Sequence, residues 1–70
     1  FKHGTYRHFK GGLYKTLCIA HDSEEVSREL VIYESVDKGY ICARPLEMFL
    51  EEIDKPECSY KGPRFTYVGE

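Results

Sequence analysis

Nine residues near the start of the chain, Tyr6-Arg7-His8-Phe9-Lys10-Gly11-Gly12-Leu13-Tyr14, carry most of its capacity for chemistry. Tyr6, Phe9 and Tyr14 supply rings, Arg7, His8 and Lys10 supply cations, and two glycines supply a turn. Aromatic faces stack on planar groups and attract cations, while Arg and Lys match negative charge. The same mixture also suits an amphipathic rim, with rings and stems packed inward and polar tips in water. In an extended strand Tyr6, His8 and Lys10 share one face and Arg7 and Phe9 the other. Arg44 closes a later apolar run, where its guanidinium can meet a carboxylate or phosphate through two parallel hydrogen bonds. Tyr6, Arg7, His8, Lys10, Tyr14 and Arg44 therefore form the candidate ligand-binding set. The plainer alternative is a structural rim in which Arg7 or Arg44 pairs with Glu29, Glu34 or Glu47.

Positioning these side chains requires strands. Thr5–Phe9 reads as a short strand, ended by the turn signal Lys10-Gly11-Gly12. Leu13–His21 is a second strand, with Leu13, Leu17 and Ile19 facing one way and Tyr14, Cys18 and Ala20 the other. Glu29–Val36 is a third, and Asp37-Lys38-Gly39 makes a tight hairpin into Tyr40–Arg44. Pro45 suits the first turn of a helix, and Leu46, Phe49, Leu50 and Ile53 fall at i, i+3, i+4 and i+7. Lys55-Pro56 should stop that helix, Glu57–Pro63 reads as an irregular link, and Arg64–Val68 is a last strand with Phe65 and Tyr67 on one face. Strands with turns this closely spaced predict a mainly β chain. The expected fold is a small five-stranded SH3-like barrel with one short helix before the last strand. A partly open sheet with the helix packed across it is the alternative.

Composition limits what such a fold can do. Seventy residues make a single domain, 1–70, and a chain of this size folds with a margin of only about 5 kcal/mol. A deep catalytic cleft is not expected unless several copies build it together. The net charge is −2, which disfavours a general nucleic-acid binder. That charge is uneven: residues 1–16 hold Lys2, Arg7, Lys10 and Lys15 with no acid, while most acidic residues lie between Asp22 and Glu57. A basic end and an acidic end suit either anion binding or head-to-tail association into a homo-oligomer. No apolar run approaches a membrane helix, so no membrane partner is expected. Cys18, Cys42 and Cys58 have no paired spacing, which predicts free thiols and a cytoplasmic location.

Other constellations are weaker. His3 and His8 lie near a metal-ligand spacing, but no cysteine pair supports them, so neither a metal nor a cofactor is expected. Nucleophilic catalysis is not expected either: Cys18 and Cys42 lie in apolar strands, where a thiol packs as a small hydrophobe. His21-Asp22-Ser23 is adjacent in sequence, which does not make a triad, and Asp22-Ser23-Glu24 reads more simply as a polar turn.

With the strands placed, the chain resembles the bacterial and phage family called domain of unknown function 1653. The resemblance rests on Tyr6-Arg7-His8-Phe9-Lys10-Gly11 with Tyr14, on Ile19-Ala20-His21-Asp22-Ser23-Glu24, and on Glu29-Leu30-Val31-Ile32-Tyr33. Arg44-Pro45-Leu46-Glu47-Met48-Phe49 and Pro63-Arg64-Phe65 follow in the same order, so it runs from Gly4 to Val68. It implies that Tyr6, Arg7, His8, Lys10, Tyr14, His21, Ser23, Tyr33, Arg44 and Arg64 are family features. It supplies no activity, because the family's function is not established. Two departures weaken any strongly basic, ring-lined pocket: Glu34 stands where members usually carry Arg, and Cys42 where they usually carry Trp.

The resulting expectation is a non-enzymatic binding module for an anionic ligand, whether acidic peptide, nucleotide or, less favoured, nucleic acid. The alternatives are a self-associating interaction module or, less in keeping with the residues, an enzyme with a site at an oligomer interface.

Overall fold

The computed structural model describes residues 1–70 as two antiparallel sheets, a single helical turn and a 3₁₀ turn. The large sheet contains β1 (Thr5–His8), β2 (Leu13–His21), β3 (Glu29–Ser35), β4 (Ile41–Pro45) and β7 (Phe65–Gly69). Its strand order is β4-β3-β2-β1-β7. Between β4 and β7 the chain makes α1 (Leu46–Phe49), β5 (Glu52–Lys55), the 3₁₀ turn Pro56–Cys58 and β6 (Tyr60–Pro63), with β5 and β6 paired as a separate hairpin. No helix is long and apolar enough to cross a membrane.

The mainly β character is as expected, but the closed five-stranded barrel is not. β4 and β7 are the two edges of an open sheet, with no ladder joining them. Both early turns match the residues that make them. Gly11, at φ +105°, takes a backbone conformation that side chains rarely adopt, and its N–H donates to the His8 carbonyl. Gly4 is required for a different reason: a Cβ there would lie 2.7 Å from the Gly69 carbonyl oxygen.

Two local expectations fail for identifiable reasons. β2 does not alternate cleanly, because a bulge between Thr16 and Cys18 inserts one extra residue opposite β3. Leu17 and Cys18 are both exposed as a result, while Tyr14, Thr16 and Ile19 face the core with their β3 partners Ser35, Tyr33 and Val31. The long helix is also absent. α1 stops after Phe49, Leu50 is its exposed C-cap, and Ile53 is buried from a strand. An isolated short helix is marginal, and here β5 finds a better partner in β6, with Ser59 in a left-handed conformation completing the turn. The stretch read as an irregular link is therefore half of a hairpin.

The core lies on the inner face of the large sheet and is mostly aromatic. Tyr6, Val31, Tyr33, Phe49 and Phe65 form one buried cluster, with Tyr14, Ile19, Cys42, Leu46 and Tyr67 packed around it. Phe49 and Phe65 stack with centroids 4.1 Å apart and planes only 8° from parallel, while Tyr6 and Tyr33 meet Phe49 edge-on at 5.0 and 5.5 Å. Buried Thr16 is satisfied locally: its Oγ1 accepts from the Gly4 N–H at 2.8 Å and donates to the Gly4 carbonyl at 3.2 Å.

Phe49 joins α1 to edge strand β7, so its loss should be felt throughout the fold. Phe49→Ala is expected to cost about 3–5 kcal/mol, enough to leave much of a domain this small unfolded in a urea titration. A loss below about 1 kcal/mol would show that the ring stack does not hold the fold together.

Candidate functional site

The inner face of the large sheet continues past the core into a polar, cationic margin. His8 projects from the end of β1, opposite Phe65 in the β1–β7 ladder, and the two rings meet edge-on at 4.9 Å. Arg44 projects inward from β4, where its Nε donates to the Tyr33 hydroxyl at 3.2 Å. The Arg44 guanidinium lies 5.8 Å from the Phe65 centroid. Tyr14 meets Phe65 and Tyr33 edge-on at 5.8 and 5.4 Å and His8 at 6.2 Å. Arg64 completes the group from the link between β6 and β7. Its backbone fixes it on both sides: its N–H donates to Glu51, and its carbonyl accepts from Phe9.

The electrostatics of this group are unusual for a chain of net charge −2. His8 has a pKa below 6.5, first because it is partly buried and then because Arg44, Arg64 and Lys10 repel a charge on it. Its Nδ1 accepts from the Lys10 N–H at 3.1 Å, which places the proton of the neutral ring on Nε2. Arg64 is balanced by Glu51, at 2.7 Å from Nη2 to Oε1. Arg44 has no carboxylate partner. The Nε of Arg64 is buried with no hydrogen-bond partner. The Tyr14 phenol is held above its ordinary pKa by burial and by the neighbouring Tyr40 phenol, so it stays a neutral hydroxyl. The site thus presents two guanidinium groups, a neutral imidazole and phenols over an aromatic floor, with Glu51 as the one carboxylate paired to it.

Of the six residues expected to bind ligand, the structure brings His8, Tyr14 and Arg44 together. Lys10 is close enough to act on the charge of His8, although its ammonium lies over Phe9 at 5.8 Å. Tyr6 does face the same side as His8, but it is buried in the core, with its hydroxyl donating to the Lys2 carbonyl. Burial and the neighbouring Tyr67 raise its pKa despite that bond. Arg7 points to the opposite face of the sheet, where Nη1 donates to the Gly11 carbonyl at 3.3 Å. The ion pairs expected for Arg7 or Arg44 with Glu29, Glu34 or Glu47 do not form. Arg64, Tyr33 and Phe65 were not in the expected set. A signal for Arg64 was available, since it stands at a strand end, as Arg44 does, directly before the inward-facing ring of Phe65.

Elsewhere the plain readings hold. Asp22 Oδ1 accepts from the Glu24 N–H at 2.8 Å, as in a simple polar turn, and His21 Nδ1 donates to the Val26 carbonyl at 2.8 Å. A groove of about 470 Å³ lies at the far end of β3, lined by Ser27, Arg28, Glu29, Pro45, Leu46, Glu47 and Leu50, away from the cationic cluster.

Comparison with known proteins bears on this geometry. Residues 4–67 match the sequence profile of a family described as protein of unknown function (DUF1653). The chain belongs to this family. The DUF1653 domain is also similar to the crystal structure of a DUF1653 protein from Bordetella bronchiseptica, at 32% identity and a TM-score of 0.85. That match covers 99% of this chain and 88% of the other. No protein of curated function matches the chain. The family assignment therefore agrees with the sequence blocks, and the function of this DUF1653 domain has to be argued from its own site.

A proton titration tests the electrostatics directly. Because His8 has a lowered pKa in the fold, the unfolded chain binds protons more readily as pH drops below 6.5. Its contribution to stability is therefore intact above that value and is lost as pH falls toward the folded pKa. The His8 ring signal in NMR is expected to titrate below 6.5, and Arg44→Met is expected to move it upward. A midpoint at or above 6.5, unmoved by Arg44→Met, would show that the cations do not converge on His8.

Proposed function

We propose that this DUF1653 domain is a non-enzymatic binding module that recognises an anionic ligand at the cluster of His8, Tyr14, Arg44 and Arg64. The observation that carries the reading is the half-buried Arg44 guanidinium, anchored to a neutral phenol and supplied with no carboxylate. A cation removed from water is normally paired, and one left open where a second guanidinium also acts on His8 favours an incoming anion. The imidazole supports recognition rather than proton transfer. His8 Nδ1 is occupied by a backbone N–H, with no carboxylate orienting the ring as it would orient a general base. The ligand is an acidic peptide, a nucleotide or a single strand of nucleic acid, in that the site is small and the rest of the chain acidic. Exposed free thiols at Cys18 and Cys58 suit a reducing cytoplasm.

A second reading, self-association, is favoured by the outer face of the large sheet. Leu17 and Ile41 are 43% and 62% exposed there, beside Cys18, Ile32 and Ala43, and no element of the chain covers them. Sedimentation at low and high salt separates the two readings. An assembly through this face persists in salt, whereas a strict monomer at all salt concentrations removes self-association.

The binding reading is tested by amide chemical shifts during titration with pooled nucleotides, oligonucleotides and acidic peptides. Shifts are expected around residues 8, 14, 44 and 64. Arg44→Gln should weaken binding by about tenfold or more, while Arg7→Ala, on the opposite face, should leave it unchanged. Equal loss from both variants, or shifts confined to the outer face, would contradict the proposed site.

A further inference from the structure

The cluster also restricts the chemical class of its ligand, on the assumption that it is an anion site at all. The geometry points to a compact tetrahedral oxyanion, a phosphate monoester group, as the moiety held by Arg44, Arg64 and His8, with no contribution from base stacking.

Stacking a base needs an open aromatic face. Phe65 is only 6% exposed: Phe49 covers one face at 4.1 Å, and His8, Tyr33, Tyr14 and Arg44 surround the remainder. Tyr33 is only 4% exposed. The floor of the site is therefore core, and its contribution is to exclude water and hold the cations in place. What a ligand can reach is charge and hydrogen-bond donors.

The donors originate on separate elements. Arg44 comes from β4, Arg64 from the link before β7 and His8 from the end of β1. His8 and Arg44 meet the Phe65 ring at 4.9 and 5.8 Å, and Arg64, which precedes Phe65 in the chain, adds its charge to the field at His8. A carboxylate accepts within one plane and is satisfied by a single guanidinium. A phosphate monoester presents three terminal oxygens in three directions, which matches donors from three elements. Charge agrees with shape. Glu51 balances one guanidinium and leaves the other open, with Lys10 near His8, so a ligand carrying about −1.5 to −2 at neutral pH suits the site better than a single negative charge.

The Nε of Arg64 is unpartnered. Glu51 engages only Nη2, leaving a buried N–H with no acceptor. An oxyanion that competes with Glu51 for this guanidinium can engage a donor that the present pairing leaves unsatisfied.

Calorimetric and NMR titrations of the wild-type domain with inorganic phosphate, adenosine monophosphate, acetate and adenosine test the assignment. Phosphate and the nucleotide are expected to bind with affinities within about threefold of each other, while acetate and adenosine bind at least about tenfold more weakly. Arg44→Gln is expected to abolish the phosphate response and Arg44→Lys to restore it in part, by returning charge without the planar fork. If acetate binds as tightly as phosphate, or adenosine supplies most of the nucleotide's affinity, the oxyanion class is wrong while the anion site stands. If no anion at millimolar concentration shifts residues 8, 44 and 64, the site itself is wrong, and this inference fails with it.

Discussion

The stack of Phe49 on Phe65 is the contact on which the rest of this small fold depends. The large sheet is open, and its edge strands β4 and β7 are not hydrogen-bonded to each other. Only side chains can tie the two ends together. Phe49 enters from the single turn that follows β4, and Phe65 from the first residue of β7, so one ring pair links both edges across the inner face. Tyr33 and Tyr6 then pack edge-on against Phe49 from the central strands. A chain with so few fully buried residues has little reserve, which makes a well-oriented aromatic cluster worth more here than in a larger core.

The same stack makes the site possible. With one face of Phe65 against Phe49, its remaining edge and face are free to seat His8 and Arg44. Arg64 is fixed nearby because it immediately precedes Phe65 and is bonded through its backbone to Glu51 and Phe9. The cations are thus positioned by the hydrophobic core rather than by acidic partners. That arrangement explains how an acidic chain keeps an unpaired guanidinium at a half-buried position. The interaction that stabilises the fold and the one that aims the charge share a residue.

Much of this was legible in the sequence. The glycine pair after Lys10 and the Asp37-Lys38-Gly39 turn mark the two hairpins, and the inward pairing of Phe65 with Tyr67 follows from simple alternation. His8 and Tyr14 were identifiable from the cations interleaved with rings around the first turn, and Arg44 from its place at the end of an apolar strand. Two features were not legible. A bulge carries no composition of its own, so the outward turn of Leu17 and Cys18 appears only once β2 is paired with β3. The spacing of Leu46, Phe49, Leu50 and Ile53 satisfies a helix, yet Ile53 is buried by a strand pairing that local periodicity does not register. Alternation already put Arg7 on the face away from His8, and the structure keeps it there; the burial of Tyr6 in the core was not legible from alternation alone. Cys42 packs partly buried beside Tyr33, which leaves the margin around Arg44 lined by phenols.

The proposed site stands or falls on whether the Arg44 guanidinium is an open anion receptor positioned by the core. Its Nε–Hε resonance can be followed by NMR as phosphate is added at constant ionic strength, with chloride as the control. A saturable shift with phosphate and none with chloride is expected. A shift that merely follows ionic strength, equal for the two salts, would show that Arg44 is an ordinary surface cation.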